Sequence, residues 1–453
     1  MEQRAITAEL AEFISNHDST LIPDEVRIQA VRSLVNWTAC TLGGAGHPAV
    51  TKALEAIRPF AGAGHATVIG RPDRVDAFNA ALLNGISSHV LDFDDTHLAT
   101  LLHPSGPVIS ALFALSEYQK MDGKIFIDSI IYGIEMECRV ARGVCPAHYD
   151  RGWHVTSTAG VFGATAAVGR ALGLNQQKMT WSFGLAATQA SGLREMFGSM
   201  TKSFHPGHAA QCGLRSAFLA QAGFTSSSRG IEAPRGFANV LSTEQNFNKM
   251  IEGLGSLWLT NENSFKPYAC GLVIHPVIDG CIDIKRNNSF ESKHIEKISL
   301  LVNPLVLELT GKKQPATGLE GKFSVHHSAA IVLVEGVSKS NHYSDAVVCG
   351  AEVTRLRDLV QIKAESNIRV DEAYIEVHLN NGSKISHHVK HALGSLERPM
   401  TNQNIDEKFY DLTSSTMSKD RATKLLSDCW NVESLLDVGK TLGKQLLFSK
   451  AVA

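Results

Sequence analysis

At 453 residues the chain is longer than one hydrophobic core usually supports, so two domains are the natural division. Hydrophobic residues make up 44% and charged residues 19%, and the formal net charge of -2 removes the electrostatic case for nucleic acid or an anionic membrane surface. A basic pocket for a small anion is still compatible with that balance.

The opening MEQRAITAELAEF has no basic stretch followed by a long apolar run, and no uninterrupted apolar run reaches the roughly 18 residues of a membrane span. A soluble, cytoplasmic protein is expected. Eight cysteines are scattered without a C-x-x-C pair and read as buried thiols rather than disulfides or zinc ligands.

The spacing predicts a helix over Ile22 to Leu42, with Pro23 in its first turn, an apolar face of Val26, Ile28, Ala30, Val31, Leu34 and Val35, and Gly43-Gly44 ending it. A second runs from Asp76, its N-cap, to Leu91. Then comes LDFDDTHLATLLHPSG, Leu91 to Gly106, which concentrates Asp92, Asp94, Asp95, Thr96 and His103 between two apolar segments. Such a density of ionisable groups is costly to bury without a purpose, so this loop is the first candidate for an active-site wall. Ser105 or Gly106 caps the next helix, which has Pro107 in its first turn, and its free N–H groups favour an anion nearby. Farther on, Glu135 and Arg139 form an i,i+4 structural pair.

HYDRGWH, His148 to His154, precedes a helix over His154 to Leu172 that is rich in Ala, Gly, Thr and Val. Its small side chains point to a central place in a bundle. His154 at such a junction suits proton transfer, although a histidine satisfying a loop carbonyl would look the same. Tyr149 is a weaker acid/base candidate. Helices are predicted over Gln176 to Ser191 and, after Pro206-Gly207, over His208 to Ala222. Lys202 in MTKSFHPGH therefore reads as a loop lysine suited to a carboxylate, and its removal should leave the fold intact. His205 and His208 are explained by capping.

Near Phe265 the character changes. FKPYACGLVIHP carries His275; Lys297 to Thr310 looks strand-like; His326 to Gly336 and Ser340 to Asp358 look helical or mixed. Ala373 to Val389 carries the hairpin signal Asn380-Asn381-Gly382. Helix returns over Asp406 to Phe409, Ser418 to Leu426 and Val432 to Leu447. The expected architecture is mainly α: an all-helical domain over 1–268, an α+β lid domain over 270–395, and C-terminal helices over 396–453 packing back on the helical domain.

Two histidine groups invite a metal reading, His326-His327 and His387-His388-His391. In a strand His387 and His388 fall on opposite faces, and no neighbouring pattern completes a site, so no metal is expected. Without a phosphate-binding loop, dinucleotide fingerprint, nucleophile elbow or zinc-protease helix, no cofactor is expected either.

LDFDDTH followed by HPSG, at this position in a chain of this length, resembles the MmgE/PrpD family, which includes 2-methylcitrate dehydratase, cis-aconitate decarboxylase and iminodisuccinate epimerase. The similarity spans nearly the whole chain and is strongest from about Ile22 to Phe224. The resemblance implies an active site at the domain junction and a homodimer. It matches Asp92 to the family's catalytic aspartate, His154 to a proposed active-site histidine and Lys202 to the active-site lysine. In two places the chain departs from the decarboxylase pattern: Gly271 stands where a histidine is found, and His327 where a tyrosine is found.

These residues suit proton abstraction next to a carboxylate of a small di- or tricarboxylate. Lys202 and protonated His103 would hold carboxylates and developing charge, His154 would act as general acid/base, and Asp92 would orient a histidine. Thr96, Tyr149, His275 and His327 are candidate substrate contacts. A lyase, by dehydration or decarboxylation, is the leading expectation. An epimerase of an iminodisuccinate-like compound and a non-catalytic, small-anion-binding scaffold are the alternatives. Asp92, His103, His154 and Lys202 should line one cavity at the junction with 270–395.

Overall fold

The computed structural model describes residues 4–450; 58% of the chain is helical and the sheets are small, so the fold is mainly α with a smaller α+β part. The first long helix, Asp24–Gly44, follows Pro23 at its N-cap and opens with Asp24 and Glu25, whose charges suit the helix dipole. Val26, Ala30, Leu34 and Trp37 are buried along it. Ile28, expected on that face, is 54% exposed, because two residues of helix turn it to the far side from Val26 and Ala30.

The small-residue segment lies at the centre of the bundle as its composition implied. It forms a short helix, Val155–Thr158, and then Gly160–Ala171, which packs against the helices Ser105–Tyr118, Gly123–Val144 and Met200–Gln221. A Cβ on Gly213 would lie 2.4 Å from that of Ala164, so this crossing requires glycine.

One helix starts earlier than its sequence suggests. Met200–Gln221 runs straight through Pro206, where a boundary was expected, and therefore carries Lys202 and His205 on its first two turns. Pro206 forfeits one backbone hydrogen bond, yet the next residue, Gly207, lets this helix lie against Gly85 of the helix Ala77–His89, where a Cβ would sit 2.4 Å from the Gly207 Cα. That close contact outweighs the local breaker.

Beyond residue 290 a four-stranded sheet forms in the order Val360–Ala364, Ile295–Val302, Ala373–Leu379, Lys384–Val389. The first two strands are parallel and the others antiparallel. Gly382, at φ +82°, makes the expected hairpin turn. The strand predicted over Lys297 to Thr310 stops at Val302; Asn303 caps a helix over Pro304–Thr310 by accepting from the Leu305 N–H, with proline at its first position. Helices His275–Asn287 and Val325–Glu335 pack together, the former also against the hairpin. The C-terminal helices Asn402–Thr413 and Lys419–Trp430 return to Asp24–Gly44, and Val438–Leu446 to Ser105–Tyr118. Among the described residues no helix is long and apolar enough to cross a membrane.

Candidate active site

The helix Ala77–His89 begins at the Asp76 cap and ends in a loop whose backbone pairs with itself only in part, through Asp92 N–H to the His89 carbonyl and His97 N–H to the Leu102 carbonyl. Asp92 takes a left-handed conformation there, φ +50°, strained for a residue with a Cβ. The loop is buried, so its carbonyls need donors from elsewhere. Lysines supply them: Leu91 O accepts from Lys322 Nζ at 2.7 Å, Asp92 O from Lys266 Nζ at 3.1 Å, and Phe93 O from Lys408 Nζ. Lys322 comes from the α+β part, Lys266 from the segment just before it and Lys408 from the C-terminal helix Asn402–Thr413. Lys266 is delivered by a two-residue antiparallel ladder in which Thr96 pairs with Ser264.

Asp92, Thr96 and His103 of the loop face a cavity of about 60 Å³, lined also by His154, Lys202 and Lys266. The four residues expected to meet are therefore together, with Thr96 and Tyr149 beside them. Two expected contacts fall outside this lining. His275 turns into the α+β part against the Tyr268 ring, and His327 is fixed by its Nε2 donating to the His342 carbonyl at 3.0 Å.

Lys202 Nζ donates to Asp92 Oδ1 at 2.6 Å and to His89 Nε2 at 2.9 Å, while Lys266 Nζ lies 3.3 Å from Asp92 Oδ2. Burial opposes the Asp92 charge, but the two ammoniums outweigh it and hold this carboxyl well below the usual range. The expected pairing of Asp92 with a histidine is instead made by Asp94, whose Oδ2 accepts from His89 Nδ1 at 2.7 Å and whose Oδ1 lies 3.5 Å from His103 Nδ1. Because a carboxylate only accepts, His89 carries its proton on Nδ1 and leaves Nε2 free to accept from Lys202.

The histidines are bases rather than cations. Burial, reinforced by the Lys202 ammonium, holds His154 well below its ordinary value; burial does the same for His103 in spite of Asp94. Protonated imidazoles were expected to stabilise substrate charge, and in this buried pocket the two lysines stand in that place instead. His103 Nδ1 donates to the Asp95 carbonyl at 2.9 Å, so Nε2 is its accepting nitrogen. His154 Nδ1 meets His205 Nδ1 at 2.8 Å, which assigns His205 a role beyond capping. Burial pushes Tyr149 up to about 12 under a stacked Arg194, so it offers a proton donor, not a base.

Two buried sets have ligand atoms close enough to share a cation, His89 with His103 and His154, and His89 with Asp92 and Asp94, all within 4.8 Å. The Lys202 ammonium already sits between His89 and Asp92, so the chain itself supplies the charge these donors would attract. At the surface His391 does find carboxylate company, Asp371 and Glu397, with Arg369 also bonded to Asp371.

Sequence reasoning passed over Lys266, His89 and His205. Lys266 stands alone between Phe265 and Pro267, and His89 looks like one more helix residue three places before Asp92. Phe197 and Phe323 were missed as well; their rings stack at 5.8 Å across the junction and each has Lys202 Nζ within 5.5 Å of its centroid.

Comparison with known proteins matches residues 8–250 to the MmgE/PrpD N-terminal domain and residues 268–432 to the MmgE/PrpD C-terminal domain. Cis-aconitate decarboxylase of Aspergillus terreus is 26% identical over 470 residues, covering 96% of this chain and 95% of that protein. Cis-aconitate decarboxylase of Homo sapiens is 27% identical, covering 82% and 80%, and that of Mus musculus is 25% identical, covering 96% and 92%.

Proposed function

Because the chain belongs to the MmgE/PrpD family, we propose that it is a cofactor-independent lyase acting on a small di- or tricarboxylate. In a dehydration a proton leaves the carbon next to a carboxylate and hydroxide leaves the neighbouring carbon, departing together as water; in a decarboxylation the C–CO2 bond breaks and a proton is returned to the carbanion left behind. The observation that carries this reading is the enclosure, in one cavity, of two lysine ammoniums on a shared carboxylate opposite two neutral imidazoles. Lys202 and Lys266 hold a substrate carboxylate and stabilise the enolate charge that forms when the adjacent C–H is broken. His154 acts as general acid/base, and His103, with Nε2 as its acceptor, is its partner. Asp92 holds both lysines in place, while Thr96 and Tyr149 add donors. The relatives named as decarboxylases support the lyase direction.

A second reading is an epimerase of an amino-dicarboxylate. It is favoured by the His103 and His154 rings, whose centroids are 6.4 Å apart and can serve two faces of one carbon. Incubation with cis-aconitate, 2-methylcitrate and iminodisuccinate in deuterium oxide separates the cases. A lyase changes product mass and an epimerase exchanges one C–H. A scaffold does neither, and that result would end the enzymatic reading. The same proposal includes a homodimer, checked by light scattering.

A further inference from the structure

The cavity is chemically two-sided. Its ionisable lining comes from the helical part and from Lys266, and the helical part also supplies Leu101 and Phe197; the α+β part lines it with Leu272, Val273, Leu309 and Phe323, the last with its ring 5.5 Å from Lys202 Nζ. The α+β part also adds Gly271 and Thr310 and no charge. Even the Thr310 hydroxyl is turned away, donating to the Val306 carbonyl at 2.5 Å, so its methyl is what faces Gly271. Among the described residues no arginine lines the cavity. The formal charge of the lining is thus two lysines less one aspartate, a net +1, and Lys202 and Lys266 are already engaged with Asp92.

We infer that the substrate is a dicarboxylate whose remaining substituent is a short alkyl group seated against the Leu272–Leu309 wall, not a tricarboxylate. This rests on the proton-transfer reading above and narrows it. Two carboxylates are within reach of the lysine end, where ammonium and imidazole groups can answer them. A third would have to be stripped of water against aliphatic and aromatic side chains with no side-chain donor to replace that water. An alkyl group at the same place gains from burial instead. For a 2-alkyl-2-hydroxysuccinate the chemistry balances: the proton leaves C3, the C–O bond at C2 breaks, proton and hydroxide depart as water, and an alkyl-butenedioate remains.

The test uses 2-hydroxysuccinates carrying hydrogen, methyl, n-propyl or carboxymethyl at C2, the last being citrate. Binding to the full-length protein is measured by calorimetry and C3–H exchange by deuterium incorporation. Affinity should rise from hydrogen to n-propyl, on the order of tenfold for the last two methylenes, and n-propyl should bind at least tenfold better than citrate. Leu272→Lys should reverse the order; Leu309→Lys is the second variant, each checked by thermal melting. Citrate binding as well as the n-propyl compound would overturn this inference alone. Exchange with none of the bound compounds would overturn the proton-transfer reading and the inference with it.

Discussion

Lys202 Nζ lies 2.6 Å from Asp92 Oδ1, and both side chains are buried although 110 residues separate them. Neither charge is stable there alone, so the pair fixes the meeting of the helix Met200–Gln221 with the loop that follows Ala77–His89. A buried helical lysine also differs from the loop lysine the sequence suggested, and its removal should be felt by the fold.

Lys202→Ala should reduce kcat/KM by about a thousandfold or more, through loss of charge stabilisation at the reacting carbon. It should also lower stability by about 1–3 kcal/mol, because Asp92 keeps Lys266 as one partner. Steady-state kinetics and urea melts measure the two effects. Unchanged activity would remove Lys202 from the mechanism.

Asp94→Asn tests the tautomer of His89. An asparagine amide can donate to Nδ1, which moves the ring proton to Nε2 and sets it against the Lys202 ammonium. A loss in kcat of about 10- to 100-fold with a smaller change in KM is expected. Wild-type kinetics in this variant would show that the tautomer is immaterial.

Stability should fall on mild acidification. Burial lowers His205 and His327 to about 4 and His275 to about 3 from an ordinary 6.5. A lowered folded value means that the unfolded chain binds more protons between 6.5 and about 4. The contribution is complete above pH 6.5 and drains away as pH drops through that window, before the depressed Asp92 titrates. Melting temperatures from pH 8 to 4 check this; a flat profile above pH 5 would contradict the burial of neutral histidines.

Phe323→Ala should open the cavity at the junction by removing the ring stacked on Phe197 and the π-face beside Lys202. KM should rise about tenfold with kcat changed less, since the ring closes the site without touching reacting atoms. An unaltered KM would mean that the aromatic pair does not close the substrate in.

Lys408→Met probes the C-terminal return. Its ammonium serves the Asn36 Oδ1, the Phe93 carbonyl and the Lys266 carbonyl, all buried, and the variant leaves three acceptors without a donor. A stability loss of about 2–4 kcal/mol is expected. Activity should fall as well, because Phe93 is tied to Asp92; full activity in the folded variant would show that the loop holds its shape without this tie.

Local chemistry was legible in the chain. The Asp76 cap and the Asn380-Asn381-Gly382 turn each act through hydrogen bonds within a few residues, and each lies where its pattern placed it. The acidic loop stood out because so many ionisable groups between apolar helices require compensation. The compensating groups could not be read in the same way. Lys266, Lys322 and Lys408 each look like an ordinary solvated lysine in their own surroundings, and Pro206 looks like a helix boundary. Their roles depend on contacts between segments tens to hundreds of residues apart: carbonyls of a strained loop that only a distant ammonium can satisfy, and a glycine contact that carries a helix through its proline. Sequence determined which segment needed charge; tertiary packing decided which cations answered it, because burial is a property of the assembled fold rather than of any stretch of chain.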